Sequence, residues 1–245
     1  MKRRQFITLL GGAATWPLAV HAQQGERMRR IGVLMNTAAD DAEGQARLIA
    51  LVQGLQQLGW TNSQNMRIEI RWSAGDVDLF RIYAGELVAL GPDVILAASG
   101  AMVPALLAAT RTIPIVFAQT ADPVGAGFVA SLARPGGNAT GFTQIEYGMS
   151  GKWLELLKQI APGTRRAAVI RDAGDPSGMG QWGAIHAMAP SLGVEVRPVN
   201  AHDAGDMERA VTAFVQSADG GLVVTASVSH PLFTTAPSSN WQLPH

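Results

Sequence analysis

The strongest constraint in this sequence is an alternation between short apolar runs and stretches whose apolar residues recur at helical spacing. "RRIGVLMN" is the first such run, and Leu48, Leu51, Val52, Leu55 and Leu58 then share one helical face before Gly59. "MRIEIRW" alternates with the two-residue period of a strand, and Leu79, Ile82, Tyr83, Leu87 and Leu90 line the next helix, which ends at Gly91-Pro92. "DVILAAS" and "IPIVFAQ" are continuous apolar runs of the kind buried on both faces of a parallel sheet. Between them "AMVPALLAATRT" reads as a helix with Pro104 in its first turn. "FVASLAR" is expected as a short helix stopped by Pro135-Gly136-Gly137, and "NATGFTQI" as a fifth strand.

A second unit comes directly after. Trp153, Leu156, Leu157 and Ile160 are expected on one helix face, "RRAAVIRD" as a strand, and "GQWGAIHAMAPSLG" as a helix weakened by Pro190. "VEVRPV" is the next strand, Met207, Ala210, Val211, Phe214 and Val215 mark a further helix, and "LVVTAS" is a buried strand. The pattern predicts an α/β fold of two Rossmann-like lobes with parallel sheets, over residues 29–145 and 146–227. From residue 228 the alternation stops. Pro231, Pro237 and Pro244 break the segment and it has no helical period, so the second lobe is expected to be incomplete, with 228–245 an irregular tail.

"MKRRQFITLLGGAATWPLAVHAQ" has a basic head, an apolar stretch and small residues closing at Ala22, the form of a signal peptide over residues 1–22. Arg3 and Arg4 suggest the twin-arginine route, the ordinary secretory route being the alternative. The apolar stretch is shorter than the ~20 residues of a spanning helix and holds Pro17. Cleavage would remove Lys2, Arg3 and Arg4, leaving 16 of 19 basic residues against 19 acidic ones. That balance argues against a nucleic-acid partner, and the lack of cysteine excludes disulfides and thiolate metal sites. The periplasm is the expected compartment.

Gly125-Ala126-Gly127-Phe128-Val129-Ala130 fits the G-x-G-x-x-A form of a dinucleotide turn, and Glu146 imitates the ribose-binding acid. Yet "TADPV" separates it from the preceding strand and Pro135 cuts short the helix it would open, so a nucleotide-dependent enzyme using Gly125 and Gly127 is the alternative reading. Ser150 is expected to cap a helix starting near Lys152 rather than act as a nucleophile. His186, His202 and His230 lack metal-ligand spacing, and Asp40 and Asp41 suit a helix N-terminus. No catalytic residue, metal or cofactor is expected. Small and polar residues instead gather at strand C-terminal ends: Asn36 and Thr37, Ser99 and Gly100, Gln119 to Asp122, Asp172 to Ser177, and Thr225 with Ser227. Open α/β sheets bind ligands there, and two lobes could close over one small molecule by a hinge.

"RRIGVLMN", "ELVALGPDVILAASG", "TIPIVFAQTADPVGAGFVASLARPGGNATGFT" and "GKWLELLKQIAPG" resemble the ABC-transporter substrate-binding proteins that include tryptophan- and tyrosine-binding members. The resemblance runs from the N-terminus to about Ser227, "ADPVGAGFVASLARPGGN" being its most distinctive segment. It implies a type I periplasmic binding protein of two lobes joined by three crossovers, one of them near Ile145 to Ser150. It further implies a monomeric exported receptor, not an enzyme, that captures an amino-acid-like or aromatic solute and delivers it to an inner-membrane ABC permease. By position, Asn36, Ser99, Thr120 and Asp122 would wall the site from the first lobe, and Asp172, Ser177 and Thr225 from the second. The family pattern continues beyond Ser227 where this chain departs from it, which predicts truncation or a frameshift, impaired binding and exposed apolar surface on the second lobe.

Overall fold

The structure, a computed structural model, describes residues 28–200, 204–215 and 219–226. The expected signal peptide, the expected tail, Ser227, His202 and His230 lie outside the described residues. The first lobe comprises β1 (Arg29–Met35), α1 (Ala42–Gln57), β2 (Met66–Trp72), α2 (Val77–Ala89) and β3 (Val94–Ala97). A short 3₁₀ turn (Gly100–Met102) then leads into α3 (Val103–Ala109), followed by β4 (Ile115–Ala121) and β5 (Ala139–Ile145). The second lobe comprises α4 (Tyr147–Ile160), β6 (Arg166–Arg171), α5 (Pro176–Leu192), β7 (Glu195–Asn200), α6 (Ala204–Val215) and β8 (Gly220–Val224). Both sheets are parallel, in the orders β2-β1-β3-β4-β5 and β7-β6-β8. This is the expected α/β architecture of two Rossmann-like lobes, the second carrying three strands among the described residues against five in the first.

The alternating pattern dictates what each lobe buries. Ile95, Ile115 and Phe117 from β3 and β4 pack with Leu87 of α2 and with Met102 and Leu106 around α3, all essentially solvent-free. In the second lobe Leu154 of α4, Val169 of β6 and Ile185 of α5 form the core on one sheet face, and Ile170 with Met207 of α6 on the other. Each such side chain contributes about 1.5–3 kcal/mol by leaving water. Carboxylates close the helix starts: Asp41 accepts from the N–H of Gly44 at 2.7 Å, and Asp76 from that of Asp78 at 2.8 Å. Pro104 lies in the first turn of α3 as expected, and α5 keeps its helical course past Pro190 to Gly193, whose φ is 62°.

Three expectations about helices are corrected. Residues 128–134 form no helix, because the N–H groups of Phe128 and Val129 turn back to the carbonyl of Pro123, and Gly127, at φ 75°, ends that turn. With Pro135 next in line, too little chain remains to nucleate another helical turn. The crossover helix α4 begins at Tyr147, so Ser150 is a buried interior residue and not its cap. Its buried face is Ser150, Gly151 and Leu154, flanked by Trp153 and Leu157, whereas Ile160 is 83% exposed and Leu156 51%.

Apolar surface is exposed on both lobes rather than on the second alone. Leu96, Val116 and Ala118 line an open trough of about 350 Å³ beside Leu48 and Leu51 of α1, and Phe142 at its rim is 73% exposed.

One glycine ties β5 into the sheet. Gly141 pairs with Phe117, and a Cβ there would sit 2.0 Å from the Phe117 carbonyl oxygen, a backbone atom that cannot swing aside. Gly141→Ala is expected to destabilise the chain by roughly 1–3 kcal/mol or more, read as a lowered midpoint in thermal or urea unfolding followed by circular dichroism. An unchanged midpoint would show that β4 and β5 are not packed this closely.

Candidate functional site

Parallel strands deliver their C-terminal ends to one side of each sheet, and in this chain the two sets of ends face each other across a cleft. β1 supplies Asn36, β3 supplies Ser99, and β4 supplies Gln119 and Thr120; opposite them lie Asp172 and Asp175 after β6, Ser177 at the start of α5, and Ala226 after β8. The cleft holds two cavities. One of about 60 Å³ lies between Asn36 and Ser99 on one side and Asp172, Gly174 and Asp175 on the other. The second, about 30 Å³, is bounded by Ser99, Gln119, Thr120, Phe128 and Gln144 against Asp175, Ser177 and Ala226. Ser99 and Asp175 line both.

Asp175 is fixed by the local sequence. It precedes Pro176, whose missing N–H suits the first helical position, and its carboxylate accepts the Ser177 N–H at 2.8 Å as the N-cap of α5. Burial pushes its pKa above the usual carboxylate range and the nearby Asp172 adds to this, while hydrogen bonds from Ser177 oppose it. A raised pKa means that the native state holds the proton more tightly than the unfolded chain. Asp175 therefore subtracts stability as pH rises through the interval between its unfolded and folded pKa values, and the ionised carboxylate is left wanting a cation.

The end of β4 is strained. Gln119 and Asp122 have φ values of 49° and 39°, left-handed conformations uncommon outside glycine, and the β4–β5 register slips on either side of Thr120. The irregularity turns Thr120 inward, to 1% exposure, against Gly100, where a Cβ would come within 3.1 Å of its methyl carbon. Asn36 carries a buried Oδ1 with no hydrogen-bond partner among the described residues, and Gln181 a buried Nε2 in the same condition. The Oε1 of Gln181 accepts the Ala226 N–H at 2.9 Å, which fastens the end of β8 beside the cleft.

Asp122 and Thr225 are near the cleft but line neither cavity. Asp122 accepts the Gly125 N–H at 2.7 Å through Oδ1 and the Tyr147 N–H at 3.2 Å through Oδ2. Because Glu146, at the N-cap position of α4, makes no capping bond, Asp122 caps that helix from the preceding segment. The Thr225 hydroxyl donates to the Ile170 carbonyl at 3.1 Å. Asn36, Ser99, Thr120, Asp172 and Ser177 are brought together. Asp175 falls within the expected stretch Asp172 to Ser177 but is not singled out by sequence as a wall residue, although its Asp-Pro-Ser run is a helix-start signature; Gln144 and Phe128 are missed as cavity-lining residues. Gly125 and Gly127 lie in a turn that opens no helix, so no helix N-terminus is present there to receive a pyrophosphate.

A two-lobed α/β protein with a polar cleft at facing strand ends defines a solute-binding fold. The chain belongs to the ABC transporter substrate binding protein family, whose sequence model matches residues 33–236 and so extends past Ser227. It is 27% identical over 192 residues to a tyrosine-binding protein of Clostridioides difficile (strain R20291), covering 77% of this chain and 55% of that protein. Among solved structures it resembles a conserved domain protein of Vibrio cholerae, with TM-score 0.67 and 25% identity over 78% of this chain and 63% of the other. The fold is also that of a domain of a Streptococcus pneumonia ABC protein solved with L-Trp, with TM-score 0.65, 24% identity, and coverage of 80% and 65%. The chain thus spans just over half the length of the tyrosine-binding relative and less than two thirds of these structures.

Replacing Asp122 tests its place in the joint. Asp122→Ala strands two N–H groups and is expected to cost about 1–2 kcal/mol, as loss of a helix cap does, whereas Asp122→Asn should cost less. Thermal unfolding of the ligand-free chain gives the answer, and equal midpoints for all three forms would rule the joint out.

Proposed function

We propose that this chain is the solute-binding component of an ABC importer, exported to the periplasm, which captures an amino-acid-like or aromatic solute between its lobes and delivers it to a membrane permease without chemical turnover. The observation that carries the reading is Asp175, a carboxylate that lines both cavities opposite Ser99. With Asp172 it offers an ammonium group two negative partners on the second lobe, while the Ser99 hydroxyl and the Gln119 and Gln144 amides offer donors to a carboxylate on the first; the Thr120 hydroxyl donates to the Ala118 carbonyl at 3.3 Å. Phe128 supplies an apolar wall beside them. An α-amino acid carries both charges on one carbon, and this arrangement matches that pair. The tyrosine-binding relative supports the same class. Ligand sites usually need about 300 Å³ or more, so the lobes must part to admit such a solute.

Thermal-shift titration with L-tyrosine, L-tryptophan, L-leucine and aromatic carboxylates, with NAD as the comparison, tests the proposal. At a concentration of ~100 Kd an amino acid should add roughly 2.7 kcal/mol of stability; stabilisation by NAD alone would overturn it.

The protonation of Asp175 gives a second expectation. Its pKa is raised above 3.8, so affinity for an amino acid should fall on acidification with a midpoint above that value, since the ammonium group stays charged throughout. Asp175→Asn keeps a capping oxygen and removes the charge; calorimetry should show affinity reduced by about tenfold or more, equivalent to about 1.4 kcal/mol, and a flattened pH dependence.

A further inference from the structure

We propose that Tyr147 is a positioning residue whose ring, braced on Gly180, sets where α5 presents Asp175 and Ser177 to the first lobe and thereby governs closure of the cleft. The inference rests on reading that cleft as the solute site. Tyr147 is the first residue of α4, two positions after β5 ends at Ile145. Its backbone N–H is held by Asp122 of the first lobe at 3.2 Å, while its hydroxyl reaches the Pro176 carbonyl at 3.4 Å in the second. The ring lies flush on α5: a Cβ on Gly180 would come 2.2 Å from Cε2 and 2.4 Å from both Cδ2 and Cζ. Pro176 and Gly180 stand one helical turn apart, so Tyr147 spans the turn that contains Ser177 and is capped by Asp175.

One residue therefore grips both lobes, by its backbone on one side and its side chain on the other. Beyond it α4 and α5 stay in close contact, for a Cβ on Gly151 would come 2.7 Å from Cγ of Met188. The described chain passes from the first lobe to the second just ahead of Tyr147, and the ring couples rotation there to displacement of the start of α5. Burial, with Asp122 and Asp175 adding to it, pushes the phenol up to about 12, so the hydroxyl remains a donor across the working pH range.

The chain contains no cysteine, which permits a clean trap. Ser99→Cys and Ser177→Cys place thiols on opposite walls of one cavity, and their rate of disulfide formation under a mild oxidant reads the closed population without any ligand. Added to that pair, Gly180→Ala and Tyr147→Ala should each slow trapping roughly tenfold, and Tyr147→Phe by about two- to threefold, as population shifts of that size require. Combining Tyr147→Ala with Gly180→Ala should be no slower than Tyr147→Ala alone, because the methyl then has room. Circular dichroism checks that each variant folds; if Gly180→Ala does not, the two Tyr147 variants carry the test. Equal trapping rates in every folded variant would overturn the proposal. Thermal-shift titration of the unsubstituted chain with L-tyrosine, L-tryptophan, L-leucine and aromatic carboxylates runs in parallel: altered trapping with none of these bound would preserve the role of Tyr147 and sink the solute reading instead.

Discussion

Asp122 accepts one N–H from the turn after β4 and another from the first residue of α4, and so ties the end of β4 to the start of the second lobe. A carboxylate suits the position because it can accept along two directions at once. The cost is a backbone held at φ 39°, a strain of the order of 1 kcal/mol or more that the flanking sheet must hold in place. Thr120 and Gln119 sit in the same distorted stretch, so one irregularity both aims side chains into the cleft and brings Asp122 to the first residue of α4. Strain of this kind at the mouth of a binding site is a common way to fix groups that unstrained strands would point elsewhere.

Elements whose burial comes directly from periodicity were legible in the sequence. The parallel strands β3 and β4 stand out as unbroken apolar runs, and Asp41 and Pro104 mark helix starts. The failures have a common physical origin in contacts between distant segments. Leu156 and Ile160 satisfy a helical period as well as Leu154 does, but close packing on α5 through Gly151 turns α4 so that Leu154 goes inward. Residues 128–134 have a helical composition that loses to the turn anchored on the Pro123 carbonyl.

The candidate site was legible to a similar depth. The topology sends the strand ends to one side, and Asn36, Ser99, Thr120, Asp172 and Ser177 line the two cavities there. Choosing among the polar residues at each end required the third dimension. Nothing local distinguishes Asp122, whose oxygens are taken by backbone N–H groups, from Asp175, which faces the cleft from two cavities. The functions of Tyr147 and Gly180 are invisible in one dimension, because neither belongs to a motif and their contact joins two helices.

The volumes of the two cavities bear on rate as well as on fit. Where two lobes must part before a solute can enter, capture is a two-step event, in which an opening precedes each productive encounter. At high solute concentration the observed association rate then levels off at the opening rate instead of rising without limit. The apparent dissociation constant exceeds the intrinsic one by the reciprocal of the open fraction. In such a scheme residues that never touch the solute set how tightly it is held, through the ease with which the lobes part.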